Sequence, residues 1–312
     1  MKKVSVIGGG GNVGASAGLY LAERGICEVL LVDIVDGVPN GKGLDLLQAG
    51  PVRGYDAKVT GTNDVKAIAG SDVVIVTAGV PRKPGMSRTD LLSVNAKIVG
   101  GIGADIKKHA PNAYVVVVSN PLDIMTQHMM QVTGFPANRV VGMAGVLDST
   151  RFRAFIAMEL NVAATDVHAM VLGGHGDSMV PLPRYATVSG VTITDLMDKA
   201  AIDRLVDRTR KGGGEIVALL KTGSAYYAPA IAVTQMVEAI LKDKHLIVPA
   251  AAYMQGEYGL KDIFFGAPVQ LGRKGIEKVI EYQLDENEKA ALQKSAEAVR
   301  STTEALKNLV AI

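Results

Sequence analysis

Five short valine-rich runs constrain the first half of this chain more than any other feature. They cover residues 4–7, 29–32, 73–77, 114–118 and 140–143. Each is too short to be a helix, and apolar and polar residues barely alternate within it. Such runs read as strands covered on both faces. Helical segments lie between several of them, at residues 13–24, 43–48, 91–108 and 122–132. Strands alternating with helices imply a parallel sheet with right-handed crossovers. The expected fold class is therefore α/β, a Rossmann-type doubly wound parallel sheet followed by a second unit.

The second half is less regular. Helical stretches fall at residues 150–159, 194–211, 215–220, 230–242 and 286–309, with strand-like runs at 167–172, 246–253 and 264–271. At about 150 residues per domain, 312 residues accommodate two domains. A boundary near residue 146 divides the chain into an alternating α/β unit (1–146) and an α+β unit (147–312).

Composition excludes several classes. Lys+Arg (33) nearly balance Asp+Glu (31), so nothing favours a nucleic-acid partner. Residues 222–237 carry no Asp, Glu, Lys or Arg, but at 16 residues with a proline inside they fall short of a membrane span. Cys27 is the only cysteine, so an internal disulfide and a Cys-rich metal site are excluded, and no metal is expected. The apolar stretch after Met1 is too short for a signal peptide. The expectation is a soluble, cytoplasmic protein.

Glycine is abundant, 35 residues, and clustered. Directly after the first strand-like run, Gly9, Gly10, Gly11, Asn12, Val13 and Gly14 fit G-x-G-x-x-G and open a helix. Glycines let backbone N–H groups approach a pyrophosphate, and a helix N-terminus favours its charge. The next strand ends at Asp33, 19 positions after Gly14, where a dinucleotide fold places an acid on the ribose hydroxyls. An acid there repels a 2′-phosphate, which favours NAD over NADP. Gly8 also precedes the motif, so the tight-turn position belongs either to Gly8 or to Gly9.

Four further segments carry chemistry. His175 sits in Gly173-Gly174-His175-Gly176-Asp177. A histidine among glycines is open to substrate and titrates near neutrality; the segment fits a plain surface loop equally well. Asp148 and Arg151 lie three apart, on one helix face. That spacing suits a carboxylate orienting a histidine beside a guanidinium gripping a substrate carboxylate, while Asp148 also fits a helix cap. Arg82 and Arg88 flank a Pro/Gly-rich loop after the run 73–77, the kind of loop that lines the ligand crevice of an open α/β sheet. It reads either as a charged lid over an anionic substrate or as a solvated basic turn. Asn120, in Ser119-Asn120-Pro121, is placed to hydrogen-bond a substrate or nicotinamide, or to serve the turn alone.

Together, the glycine turn, Asp33, the stretch from Ala78 to Arg88, Ser119-Asn120-Pro121, Asp148-Ser149-Thr150-Arg151 and Gly173-Gly174-His175-Gly176-Asp177 resemble the lactate/malate dehydrogenase superfamily. Within it, the chain resembles the lactate dehydrogenase-like malate dehydrogenases, with matching spacing over essentially its whole length. One departure is the extra glycine before the family's usual G-A-G-x-V-G.

The resemblance implies NAD-dependent hydride transfer between malate and oxaloacetate, the tricarboxylic acid cycle reaction. His175 is then the proton donor and acceptor, paired with Asp148. Arg151 binds the C1 carboxylate, Arg88 polarises the carbonyl, and Arg82 binds the second carboxylate, where lactate enzymes usually carry glutamine. Asn95, Val118, Ser119 and Asn120 match positions that touch cofactor and substrate. A homodimer or homotetramer is also implied. Two rival readings are a lactate dehydrogenase, which Arg82 argues against, and a catalytically silent NAD-binding protein, which would lack one of His175, Asp148 or Arg151.

Overall fold

The computed structural model describes residues 1–81 and 87–309, and only the backbone of Arg88. The first half runs β1 (Lys3–Ile7), α1 (Asn12–Arg24), β2 (Glu28–Val32), α2 (Val38–Arg53), β3 (Val59–Thr62), β4 (Val73–Val76), α3 (Arg88–His109), β5 (Tyr114–Val117), α4 (Leu122–Thr133) and β6 (Val140–Gly142), then enters α5 (Gly145–Leu160). The strands pair in parallel in the order β3-β2-β1-β4-β5-β6. β4 is buried along its whole length, as its Val-Val-Ile-Val sequence requires between two helical layers. Strand order reverses between β1 and β4, and the crevice at their C-terminal ends is where such sheets take a ligand.

The remainder contains β7 (Val167–His168), β8 (Val171–Leu172), β9 (Val180–Pro181), β10 (Thr187–Val188), β11 (Val191–Thr192), α6 (Ile193–Leu196), α7 (Lys199–Leu220), α8 (Tyr227–Leu241), β12 (Leu246–Gln255), β13 (Lys261–Gly272), β14 (Gly275–Val279) and α9 (Glu286–Leu309). β12, β13 and β14 form an antiparallel meander, and β12 joins β6 through the pair Ala251↔Gly142. One nine-stranded sheet therefore crosses residue 146. An apolar cluster is shared across it, from Val4, Val6 and Leu21 to Val233, Val237 and Phe265.

Several expected elements differ. β3 was not anticipated, because its Thr60, Gly61 and Thr62 dilute the apolar signal. α2 extends ten residues beyond the six expected, to 16, despite Pro51 inside it. The run 167–172 is not one strand: it splits into β7 and β8, which belong to different sheets. The stretches 194–211 and 215–220 are redivided. Asp198 caps a new helix by accepting from the Ala201 N–H, and α7 then runs unbroken through Gly212, Gly213 and Gly214. Three glycines inside a helix cost about 1 kcal/mol each relative to alanine; the site below gives the reason for one of them, Gly212.

Candidate active site

The glycine turn fills the gap between the ends of β1, β2 and β4. Gly8 takes the left-handed conformation (φ +86°), and a Cβ there would lie 2.7 Å from the Ala78 nitrogen. The tight-turn position thus belongs to Gly8, which the sequence alone left open. Gly9 is pressed against β2, where a Cβ would come within 2.9 Å of Leu31 Cα, and at Gly14 one would meet the Gly8 carbonyl at 2.4 Å. Gly11 is the N-cap of α1, ahead of Asn12, Val13 and Gly14, and supplies no side-chain cap. The first amides of that helix have no acceptor within it. A glycine-walled turn opening onto free helix amides fits a dinucleotide pyrophosphate. At its rim Asp33 accepts from the Gly10 N–H at 2.9 Å and the Val35 N–H at 3.1 Å. Each oxygen has a further lone pair for a ribose hydroxyl.

The loops after β4 and β5 are tied together by Asn95, a buried residue of α3. Its Oδ1 accepts from the Val80 N–H at 2.8 Å, and its Nδ2 donates to the Asn120 carbonyl at 2.7 Å. The Ser119 hydroxyl donates to the Ala78 carbonyl, and the Val118 N–H donates to Val76 O at 2.8 Å. Asn95, Val118 and Ser119 thereby set the shape of the crevice through groups already engaged within the protein. Asn120 itself is exposed at its mouth. Arg82 lies outside the described residues, as does the stretch that follows it to residue 86. The backbone resumes at Ser87, whose hydroxyl accepts from the Asp90 N–H to cap α3. Arg88 is thus placed at the first position of α3.

The second half contributes a histidine paired with a buried carboxylate. Asp148, on the first turn of α5, is 2% exposed and serves two cations. His175 Nδ1–H donates to Asp148 Oδ2 at 2.8 Å, and Arg151 Nη1 donates to Asp148 Oδ1 at 3.2 Å. With Nδ1 engaged, Nε2 is the ring atom left for a substrate. Burial alone pulls the His175 pKa down. The charge and hydrogen bond of Asp148, aided by the charge of Asp123, outweigh both burial and the opposing Arg151, so the net shift is upward.

The histidine loop is fixed amide by amide. Gly173 N–H donates to Gly266 O on β13, Gly174 N–H to Ser295 Oγ on α9, and His175 N–H to Asp123 Oδ2 on α4, at 2.9, 2.9 and 2.8 Å. β13 passes so close that a Cβ at Gly266 would fall 2.2 Å from the Gly173 carbonyl. α7 packs over Arg151 more loosely: a Cβ at Gly212 would sit 3.2 Å from Arg151 Cδ, tighter than ordinary contact. Gly212 thus leaves space for the Arg151 side chain. Sequence reading missed Asp123, Ser295 and Gly212. An acid in the first turn of a helix, as Asp123 is in α4, ordinarily signals only a helix-dipole interaction. The other buried histidine, His128, lies between α3 and α4 with its pKa lowered by burial.

Comparison with known proteins agrees with this geometry. The lactate/malate dehydrogenase NAD binding domain matches residues 2–142, and the alpha/beta C-terminal domain of the same family matches residues 145–310. A malate dehydrogenase of Roseiflexus sp. (strain RS-1) is 57% identical over 305 residues, 98% of each chain. The solved malate dehydrogenase of Salinibacter ruber is 51% identical with a TM-score of 0.94, covering 98% of both chains. A lactate dehydrogenase of Cryptosporidium parvum, solved with lactic acid and β-nicotinamide adenine dinucleotide, is 42% identical with a TM-score of 0.95, again over 98% of both. Backbone likeness of that order on both sides does not separate the two substrates, but it does place the sequence: this chain belongs to the lactate/malate dehydrogenase family.

Proposed function

We propose that the chain interconverts malate and oxaloacetate, with NAD held by its first half. The observation that carries this reading is the buried Asp148 shared between His175 and Arg151, an acid–base group beside a guanidinium that can hold a carboxylate. Its likeness to malate dehydrogenases at up to 57% identity supports the choice of substrate. Residues 1–146 act as the cofactor unit and 147–312 as the substrate unit.

NAD, when bound, supplies or accepts the hydride. The residues do the rest. Gly9 to Gly14 cradle the pyrophosphate and Asp33 takes the adenosine ribose. Asn95, Val118 and Ser119 hold the crevice, and Asn120 hydrogen-bonds at its mouth. Arg151 fixes the substrate's C1 carboxylate and Arg82 the second one. Protonated His175 donates from Nε2 to the carbonyl oxygen of oxaloacetate and takes the proton back from the malate hydroxyl. Arg88 offsets the negative charge that develops on that oxygen.

The test is a spectrophotometric NADH-oxidation assay with oxaloacetate and pyruvate side by side. Oxaloacetate should be turned over with much the higher kcat/KM. Equal rates, or a preference for pyruvate, would overturn the reading. Cofactor choice should follow Asp33: NADH should be strongly preferred to NADPH, and Asp33→Ser should narrow that gap by removing the charge opposed to a 2′-phosphate. Comparable kcat/KM for both cofactors in the unmutated protein would refute this role.

The assembly we infer is a homodimer or homotetramer. Leu44, Leu47 and Val52 on α2, and Val217, Leu219 and Leu220 at the end of α7, are exposed apolar side chains that a second copy would cover. The single buried thiol, Cys27, with its pKa pushed up to about 12, suits a reducing cytoplasm. There the reaction would serve the tricarboxylic acid cycle. No helix among the described residues is long and apolar enough to cross a membrane.

A further inference from the structure

Asp123 is the one buried acid near the site that the reaction does not use. It is 3% exposed, on the first turn of α4, directly after the Ser119-Asn120-Pro121 turn. Its Oδ2 accepts the His175 N–H at 2.8 Å, while Oδ1 is buried with no hydrogen-bond partner among the described residues. A carboxylate placed in that way is costly to bury. Asparagine would accept the same N–H without the charge, so the hydrogen bond alone does not account for an acid here.

We propose that Asp123 is a positioning residue for His175, with one oxygen fixing the histidine's backbone amide while its negative charge helps the imidazole hold its proton. The claim rests on His175 being the acid–base group. Two carboxylates then hold one histidine: Asp148 from α5 on the ring nitrogen, Asp123 from α4 on the backbone amide. Arg151 of α5 is the opposing charge. Arg210 of α7 reaches the far end of the loop, donating to the Met179 carbonyl at 3.1 Å, while α9 and β13 present uncharged groups, the Ser295 hydroxyl, Val299 and the Gly266 backbone. Burial pushes the Asp123 carboxyl up to about 6, partly offset by the His175 N–H and charge. Asp123 is therefore mostly ionised over the range in which His175, raised above its ordinary value, loses its proton.

The experiment follows the His175 ring by NMR titration in the NADH-bound protein, beside kcat and KM for oxaloacetate. In Asp123→Asn the amide oxygen still accepts the His175 N–H but the charge is gone. Its His175 titration should move to lower pH, because a negative charge that favours the protonated ring is gone. The falling limb of kcat/KM for oxaloacetate should move with it. Asp123→Leu, which removes the acceptor as well, should shift the titration equally and in addition raise KM. An Asp123→Asn protein whose His175 titrates where the unmutated protein does overturns the proposal, and this holds even if Asp123→Leu fails to fold. The titration needs no turnover. If oxaloacetate proves not to be a substrate, the reaction assignment fails while the role of Asp123 is still decided.

Discussion

Replacing His175 with asparagine should lower kcat by roughly 10²–10⁴-fold in both directions, the span usual for a general acid–base, while NADH still binds. NADH affinity should survive because the cradle around Gly8 and Gly14 belongs to the other half of the chain. The pH dependence has a definite sign. Asp148, 2.8 Å from Nδ1, raises the His175 pKa by stabilising the imidazolium. Oxaloacetate reduction requires that protonated form, so its kcat/KM should fall as pH rises through the raised pKa. Malate oxidation requires the neutral ring, so its kcat/KM should fall as pH drops through the same value. Asp148→Asn should move both limbs to lower pH, because it removes the largest favourable charge. It also leaves Arg151 and His175 without their shared anion, so kcat should fall as well. Superimposable profiles in the two directions, or a fully active His175→Asn protein, would show that the proton moves elsewhere.

The features legible in the sequence were those produced by local physics. A strand buried on both faces must be largely apolar, and β1, β2, β4, β5 and β6 each announced themselves in that way; the buried Ser5 of β1 is satisfied by the Ser71 hydroxyl. The glycine motif and Asp33 were legible because strand, turn and helix are contiguous. Asp148 and Arg151 were legible as a pair because one helix face holds both. What escaped depends on contacts distant in sequence. Gly8 takes the tight turn because the loop leaving β4 passes against it at Ala78, 70 positions away in the chain. Gly212 to Gly214 read as a helix break, yet α7 runs through them, and the space that Gly212 leaves is occupied by Arg151 of another helix. Asp123 reads as an ordinary first-turn acid until the fold brings His175 onto it, 52 residues later. The antiparallel strands β12 and β13 were recognisable as strands. Their place in the same sheet as β6 was not, because a single pairing, Ala251 with Gly142, makes the join.

Arg82→Gln should reduce kcat/KM for oxaloacetate by roughly 30- to several-thousand-fold and allow some turnover of pyruvate. Oxaloacetate carries one more carboxylate than pyruvate, and a closed site strips water from it. A buried carboxylate without a partner is strongly disfavoured, whereas a guanidinium can receive it through two charge-assisted hydrogen bonds. Pyruvate leaves the same guanidinium unpaired, so the penalty also works against the wrong substrate. Removing one partner of such a pair costs on the order of 2–5 kcal/mol. At about 1.36 kcal/mol per decade that is the expected loss. The anchors around this loop are firm: Asn95 bonds both the N–H and the carbonyl of Val80 on one side, and the Ser87–Asp90 capping box starts α3 on the other. Arg82→Gln removes the charge and alters none of the residues that make those anchors. Arg88→Gln should behave differently and depress both substrates together, because its role is at the carbonyl they share. The discriminating measurement is kcat/KM for oxaloacetate and for pyruvate in both variants. An unchanged oxaloacetate-to-pyruvate ratio in Arg82→Gln would mean that another group receives the second carboxylate, and the assignment of malate would lose the residue that distinguishes it from lactate.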